Sequence, residues 1–119
     1  SLEARANAYH NVGRYDESIS DLGEALDLFP KHERAKFLHN NMAWSWIGQG
    51  NLDAAVNEFN RALAVDPDFD LAYFGRATVW EKKGDYQRAM IDAKEAAKRD
   101  PANKKYDNLL FEIKSKLNQ

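Results

Sequence analysis

The sequence contains no cysteine. This absence excludes disulfide frameworks, thiolate zinc sites and cysteine nucleophiles. Proteins of the cytoplasm and of the periplasm can both lack cysteine, so the compartment is not decided by the sequence, although we favour the cytoplasm.

Proline, strand patterns and long apolar runs are also scarce. The 119 residues include three prolines and six glycines, which leaves room for long helices. There is no run of alternating β-branched residues bounded by turns, as a strand would require. No apolar stretch approaches the roughly 20 residues that span a bilayer, and no signal peptide opens the chain. We expect an all-α protein without a membrane partner.

The charge is small but unevenly distributed. The net charge is -2, with 7 basic and 13 acidic side chains in residues 1–81 and 10 basic and 6 acidic ones in residues 82–119. A nucleic-acid surface needs an excess of cations to pair with phosphates. The acidic first two thirds therefore argue against a nucleic-acid partner.

A 34-residue period runs through the chain. The pairs of identical residues at this distance are Trp46 and Trp80, Gly50 and Gly84, Ala55 and Ala89, Ala62 and Ala96, and Pro67 and Pro101. An earlier copy has matching residues at Ala6, Tyr9, Gly13, Tyr15, Ala25 and Pro30. Each copy is typical of two amphipathic helices joined at a glycine, which favours the left-handed end of a helix, and closed by a proline.

Residue size follows the same period. Small residues are predicted where helices approach closely: Ala6, Ala43 and Ala77 on the first helices, and Ala25, Ala62 and Ala96 on the second. Large residues are predicted to fill the space between helices: Tyr9, Trp46 and Trp80.

These residues resemble the tetratricopeptide repeat, whose pattern is Trp-x2-Leu-Gly-x2-Tyr, then Ala-x3-Phe, then Pro. The second copy supplies His39, Met42, Ala43, Trp46, Ala55, Phe59 and Pro67, and the third Tyr73, Arg76, Ala77, Trp80, Ala89, Ala93 and Pro101. Arg5 and Arg76 replace leucine, Ser18 replaces alanine and Ala93 replaces phenylalanine. The resemblance implies an all-α, right-handed α-α superhelix (solenoid) of three helix pairs plus a C-terminal capping helix, seven helices in all.

The predicted organisation is a single array. Repeat one covers about residues 1–32, repeat two about 33–69, repeat three about 70–103, and the capping helix about 103–118. Three extra residues precede repeat two and are predicted to extend its first helix backward. The N-terminal edge has no cap, so we expect either a longer parent protein or self-association, with a homodimer through this edge as the alternative function.

The resemblance implies that a protein or peptide partner binds the concave groove lined by the first helices, so the predicted function is an interaction scaffold. Trp44 and Trp46 are about 200° apart around a helix. Trp46 holds the repeated core position, so Trp44 is predicted to point elsewhere, and the resemblance implies that it faces the groove. The predicted groove residues are Asn7, His10, Asn11, Phe37, Asn40, Asn41, Trp44, Leu71, Phe74, Thr78 and Lys82. Asparagine can pair with a peptide main chain, and the apolar side chains can anchor partner side chains.

One subclass of the family clamps the C-terminal carboxylate of heat-shock chaperones with two lysines, two asparagines and an arginine. The asparagine positions are matched by Asn7 and Asn41, but the cationic positions hold Glu3, Leu71 and Gly75. A carboxylate would lose its charge-assisted bonds there. The sequence therefore argues against a chaperone carboxylate and favours an extended or helical segment with apolar side chains.

Catalytic and metal motifs are not apparent. His10, His32 and His39 form no pair four residues apart. The stretch from Asp66 to Asp70 begins like a calcium loop, but lacks the required glycine and glutamate at its sixth and twelfth positions. We predict no catalytic residue, no metal and no cofactor, and hence no enzyme.

Overall fold

The computed structural model describes residues 1–28 and 33–119, and its described residues form seven α-helices. The helices are α1 (Leu2–Asn11), α2 (Tyr15–Leu28), α3 (Ala35–Gln49), α4 (Leu52–Val65), α5 (Asp70–Lys82), α6 (Tyr86–Arg99) and α7 (Lys104–Leu117). The predicted helix stop at Pro30, the residue His32 and the end of repeat one lie outside the described residues.

Glycine ends the first helix of each pair. Gly13, Gly50 and Gly84 have φ angles of 82°, 85° and 81°, in the left-handed region that favours glycine. The next helix is then capped at its start in repeats two and three. Asn51 Oδ1 accepts the amide of Ala54 and Asp85 Oδ1 accepts that of Arg88, each at 3.1 Å, which satisfies an amide that the helix leaves without a partner.

The chain divides into two compact units, Ser1–Pro67 with α1 to α4 and Asp68–Gln119 with α5 to α7. The residues predicted for close helix approach are all buried, namely Ala6, Ala25 and Ala43 with Ala62 in the first unit and Ala77 and Ala96 in the second. Because alanine has only a methyl side chain, the backbones of a pair approach closely at these positions.

The large residues predicted between the helices are half-buried. Trp46 packs against the core cluster that includes Leu22 and Met42. Tyr9 and Trp80 are covered by cations, with the Arg14 guanidinium 4.8 Å from the Tyr9 ring and Arg88 5.1 Å from the Trp80 ring. These rings therefore lie at the edges of the helix pairs and are only partly covered by them.

Two further predictions concern helix ends. The three inserted residues, Glu33, Arg34 and Ala35, were expected to extend α3 backward. Ala35 is the first residue of α3, whereas Glu33 and Arg34 form a turn before it. The last helix lies where it was predicted. In α7, Tyr106 and Ile113 are buried with Leu109, so this helix seals the apolar side of the second unit.

Every helix pair also buries one carboxylate at the same repeat position. These acids are Asp21 in α2, Glu58 in α4 and Asp92 in α6. A buried charge is costly unless it is paired and hydrogen-bonded. Each acid therefore needs a partner inside its own repeat.

In repeats one and three that partner is an arginine of the first helix, in the same geometry. Arg5 donates through Nε and Nη2 to Asp21 at 2.8 and 2.7 Å, and Arg76 donates through the same atoms to Asp92 at 2.7 and 2.8 Å. Both pairs are 16 residues apart. The arginines that replaced the leucine of the repeat pattern are thus the partners of buried acids.

In repeat two, other residues are paired with the buried carboxylate. Met42 stands where the other repeats have arginine, and Glu58 instead lies 2.7 Å from His39 Nδ1 of α3. Arg61 of the same helix also binds the Glu58 carboxylate. All three acids are thus paired with a side chain of the preceding helix.

The bond to Arg5 holds the pKa of Asp21 below its usual value, although burial opposes that shift. A group whose pKa is lower in the folded chain stabilises it above the unfolded pKa, about 4, and that contribution is lost as the pH falls. We expect Asp21→Asn to lower the melting temperature at pH 7, and the difference from the wild type to shrink as the pH falls below about 4.

Glu17→Gln is a suitable control, because Glu17 pairs with Arg14 at the surface and exposed pairs contribute about 0–1 kcal/mol. Thermal melts between pH 2 and pH 8 test the comparison. A difference between Asp21→Asn and the wild type that stays constant over this range would contradict the assignment.

Gly48 in α3 is required by a close contact. A methyl group added there would overlap the ring of Tyr15, whereas one added at Gly23 would meet only Met42 Cε at 3.9 Å. Glycine to alanine inside a helix otherwise stabilises it by about 1 kcal/mol. We expect Gly23→Ala to stabilise the chain and Gly48→Ala to destabilise it by about 1–2 kcal/mol, as measured by urea unfolding; equal effects would contradict the contact.

Candidate functional site

The predicted groove face of the first unit is carried mainly by α3. Phe37 and Trp44 are seven residues apart and so lie on one side of the helix, with Asn40 and Asn41 between them. Phe37 is 39% exposed, Asn41 and Trp44 are half-buried, and Asn40 is buried. The structure thus combines two large aromatic side chains and two amides on one stretch of helix.

The two tryptophans of α3 point to different neighbours. The Trp44 ring meets the buried Phe59 ring of α4 edge-on, with 5.9 Å between centroids. Trp46 packs against the cluster formed by α1, α2 and α3. The predicted divergence of the two side chains is therefore present, but Trp44 also contributes to packing.

The Phe37 ring is in contact with the ammonium group of its neighbour in the chain. Lys36 Nζ lies 5.2 Å from the centre of the Phe37 ring and 2.7 Å from Asp66 Oδ2. Because Lys36 is tied to Asp66 at the end of α4, the aromatic side chain lies beside a neutralised charge. The charge of the Lys36 ammonium beside the Phe37 ring is therefore compensated.

The α1 residues of the predicted groove are of two kinds. Asn7 and Asn11 are exposed. His10 is half-buried, and its Nδ1 lies 3.1 Å from the Oγ of the buried Ser45, which in turn lies 2.9 Å from Ser18 Oγ. His10 is therefore already joined to a polar chain between helices, and the two asparagines are the exposed members of the predicted α1 set.

In the second unit, the predicted residues lie on α5. Leu71 is 42% exposed and Lys82 is exposed. Phe74 packs on Tyr106 of α7, with 5.1 Å between ring centroids, and the Oγ1 of Thr78 donates to the Phe74 carbonyl at 3.0 Å. Packing against α7 thus leaves Leu71 and Lys82 as the more accessible members of this set.

Tyr106 is itself held at its hydroxyl. It donates to Asp70 Oδ2 at 2.6 Å, and burial together with this bond raises the pKa of Tyr106. The phenol is therefore neutral at physiological pH and acts as a hydrogen-bond donor that fixes α7 against the start of α5.

Arg34 is a residue near the site that the sequence analysis did not select. Its Nη2 lies 2.8 Å from Glu3 Oε2, so the acid at one clamp position is paired with a cation. At the other two positions, Leu71 carries no charge and Gly75 is buried. The spacing of 31 residues between Glu3 and Arg34 follows no repeat rule and gave no signal in the sequence.

A cavity of about 510 Å³ opens at the N-terminal edge of the first unit. Its apolar lining comes from Leu2, Ala25, Leu28 and Leu38. This is the edge predicted for self-association, which stays a prediction.

Residues 1–28 and 33–119 contain no group of three or more histidine, aspartate or glutamate side chains placed to hold a metal ion. None of the helices in these ranges is both long enough and apolar enough to cross a bilayer.

The fold and the repeated helix pairs define a helical-repeat protein, and comparison with known families makes the class specific. The tetratricopeptide repeat profile matches residues 1–68 and again residues 40–104. The chain belongs to the tetratricopeptide repeat family.

Curated relatives are longer proteins. The chain is 28% identical over 115 residues to the DnaJ homolog subfamily C member 7 homolog of Dictyostelium discoideum, covering 96% of this chain and 21% of that protein. It is 30% identical over 99 residues to U-box domain-containing protein 70 of Oryza sativa, covering 83% of this chain and 12% of the relative. The chain thus spans about a fifth or less of these relatives.

Solved structures agree on the fold. The first TPR domain of human RPAP3 superposes with a TM-score of 0.92 at 24% identity, covering 98% of this chain and 90% of that one. The first TPR of Spaghetti (RPAP3), bound to the HSP90 peptide SRMEEVD, gives a TM-score of 0.90 at 24% identity and covers 99% and 91% of the two chains. These likenesses confirm the predicted fold class, an all-α tetratricopeptide-repeat solenoid.

The different surroundings of the two α3 tryptophans predict different stability costs. Trp46→Ala is expected to cost about 3–5 kcal/mol of unfolding free energy, because it leaves a gap beside the core cluster. Trp44→Ala is expected to cost about 1–2 kcal/mol, since it loses the edge contact with Phe59. Urea unfolding measures both, and a larger cost for Trp44→Ala would contradict the assignment of the two faces.

Proposed function

We propose that this chain is a non-catalytic binding module that recognises a segment of another protein through its first-helix faces. The observation that carries the proposal is the stretch of α3 on which Phe37 and Trp44 flank Asn40 and Asn41. Large aromatic anchors beside amides are a combination suited to peptide recognition, because they supply apolar contact and main-chain hydrogen bonds together.

Trp44 is the proposed anchor of this face. It is half-buried, and its edge contact with Phe59 holds the ring in one orientation before a partner arrives. A side chain that is already ordered loses little conformational entropy on binding. The asparagines of α1, Asn7 and Asn11, add exposed donors and acceptors in the same unit.

The known proteins support a protein partner. One similar structure is a TPR bound to an HSP90 peptide, and the second TPR domain of human RPAP3, with a TM-score of 0.85, is in complex with the HSP70 peptide SGPTIEEVD. Both are less than 25% identical to this chain, so they establish its fold, and the peptides bound to them support a protein partner only by analogy. The peptides they bind define the second candidate.

That second candidate is recognition of a chaperone C-terminus. The complexes of similar domains favour it, and the pairing of Glu3 with Arg34 weakens the repulsion expected from the acid. Against it stand Leu71 and Gly75, which offer no cation to a carboxylate. The sequence-based argument against a chaperone partner therefore has no support from the comparisons. Chaperone peptides are included in the binding experiment for this reason.

A binding experiment with matched variants tests the main proposal. Peptides of 12 residues are selected on the wild-type chain from a phage-displayed random library, then labelled and titrated by fluorescence anisotropy. We expect Trp44→Ala to weaken binding at least about tenfold, because it removes a central aromatic anchor. Ile91→Ala on α6 is the control, since Ile91 is 63% exposed and lies on a second helix.

Equal affinity of the wild type and Trp44→Ala would overturn the face assignment, and failure to select any peptide would overturn the proposed function. For the chaperone candidate, SRMEEVD and SGPTIEEVD are titrated as free acids and as C-terminal amides. Binding of the acids that amidation abolishes would establish carboxylate recognition. Absence of binding by both forms would eliminate this candidate.

Light scattering on the same samples checks for the predicted homodimer.

A further inference from the structure

The oxygen of one amide on α3 is buried without a hydrogen-bond partner in the part of the chain that the structure describes. Asn40 is 7% exposed, and its Oδ1 is buried and has no hydrogen-bond partner among the described residues. Leaving such a group unmatched costs stability, whereas an apolar side chain of similar shape would not. A buried polar group without a partner therefore needs an explanation.

The contrast with the other buried polar groups is informative. Ser18 and Ser45 are bonded to each other at 2.9 Å, and Asp21, Glu58 and Asp92 each accept hydrogen bonds. Arg99 Nε also lacks a hydrogen bond, but it lies 3.4 Å from Asp68 Oδ1, so its charge is compensated. The Asn40 oxygen has no comparable compensation among residues 1–28 and 33–119.

The position of Asn40 suggests what would pair with it. It lies three residues after Phe37 and four before Trp44, and residues at these spacings share one side of a helix. The amide is thus placed between the two aromatic side chains of the proposed binding face. Its two ends are complementary to a main chain, because the oxygen accepts from an N–H and the nitrogen donates to a carbonyl.

We infer that Asn40 pairs with the main chain of an extended partner segment whose apolar side chains pack against Phe37 and Trp44. This inference rests on the proposed function. It distinguishes between the two partner shapes that the sequence left open. The backbone N–H and C=O groups of a helical segment are already bonded to one another, whereas an extended segment presents them to the receptor.

The test uses a library-selected peptide, synthesised as a series in which one backbone nitrogen at a time is methylated. For the wild-type chain, we expect methylation at one or two positions to weaken binding about tenfold, because the methyl group removes the donor. We expect Asn40→Leu to bind the unmodified peptide about tenfold more weakly and to be indifferent to methylation at one of those positions. That loss of sensitivity identifies the bond.

Stability supplies an independent readout. Asn40→Leu is expected to raise the melting temperature by about 3 °C, because it removes a buried group without a partner. Asn40→Ala, which is smaller than the wild-type side chain, is the second variant in case leucine is too large. Asn57→Leu on α4 is the matched control, since Asn57 is exposed and the substitution should leave affinity unchanged.

The outcomes separate the inference from the proposed function. If the wild type binds its peptide and Asn40→Leu and Asn40→Ala bind it equally well, the inference is overturned and the proposed function stands. A fall in melting temperature with unchanged affinity would show that Asn40 has a structural role and would also overturn it. If the wild type selects no peptide, both proposals fall together.

Discussion

Each of the three helix pairs buries a carboxylate on its second helix, and a side chain of the first helix has to compensate that charge. Asp21, Glu58 and Asp92 are buried on the second helices, and each is bound by a cation or imidazole of the helix before it. A displacement of one helix along the other would leave a charge buried without its partner, at a cost of several kcal/mol. The acid therefore fixes the register of the pair as well as contributing to its stability.

Close packing of the two helices makes this pairing possible. The buried alanines of both helices bring the backbones of a pair together. Between neighbouring pairs, the Tyr15 ring of α2 lies against Gly48 of α3, which has no side chain. In such a narrow space, Arg5 and Arg76 can each place two donors on one carboxylate. The small residues set the distance between the helices, and the acid then sets their register.

The sequence predicted those features that depend on residue type at a fixed spacing. The glycines at positive φ, the buried alanines and the seven helices all follow from local backbone requirements and a 34-residue period. Tertiary contacts without a repeat rule were not predictable in this way. The bond between His10 and Ser45, the pairing of Glu3 with Arg34 and the contact of Trp44 with Phe59 depend on side-chain directions that the period does not determine. The pairs of arginine and acid recur at a 16-residue spacing, but the repeat pattern has leucine at the arginine positions and so does not predict them.

The placement of polar groups differs between the interior of the helix pairs and the proposed binding face. Inside the helix pairs, buried carboxylates and hydroxyls have partners, as a stable interior requires. On the side of α3 that carries Phe37 and Trp44, Asn40 is buried and its oxygen has none among the described residues. An apolar side chain of similar shape would stabilise the isolated chain more, because the buried oxygen gains no hydrogen bond from the described residues. An amide that destabilises the isolated chain but matches a main chain is what a binding face requires, since stability lost at a functional site is offset elsewhere in the fold.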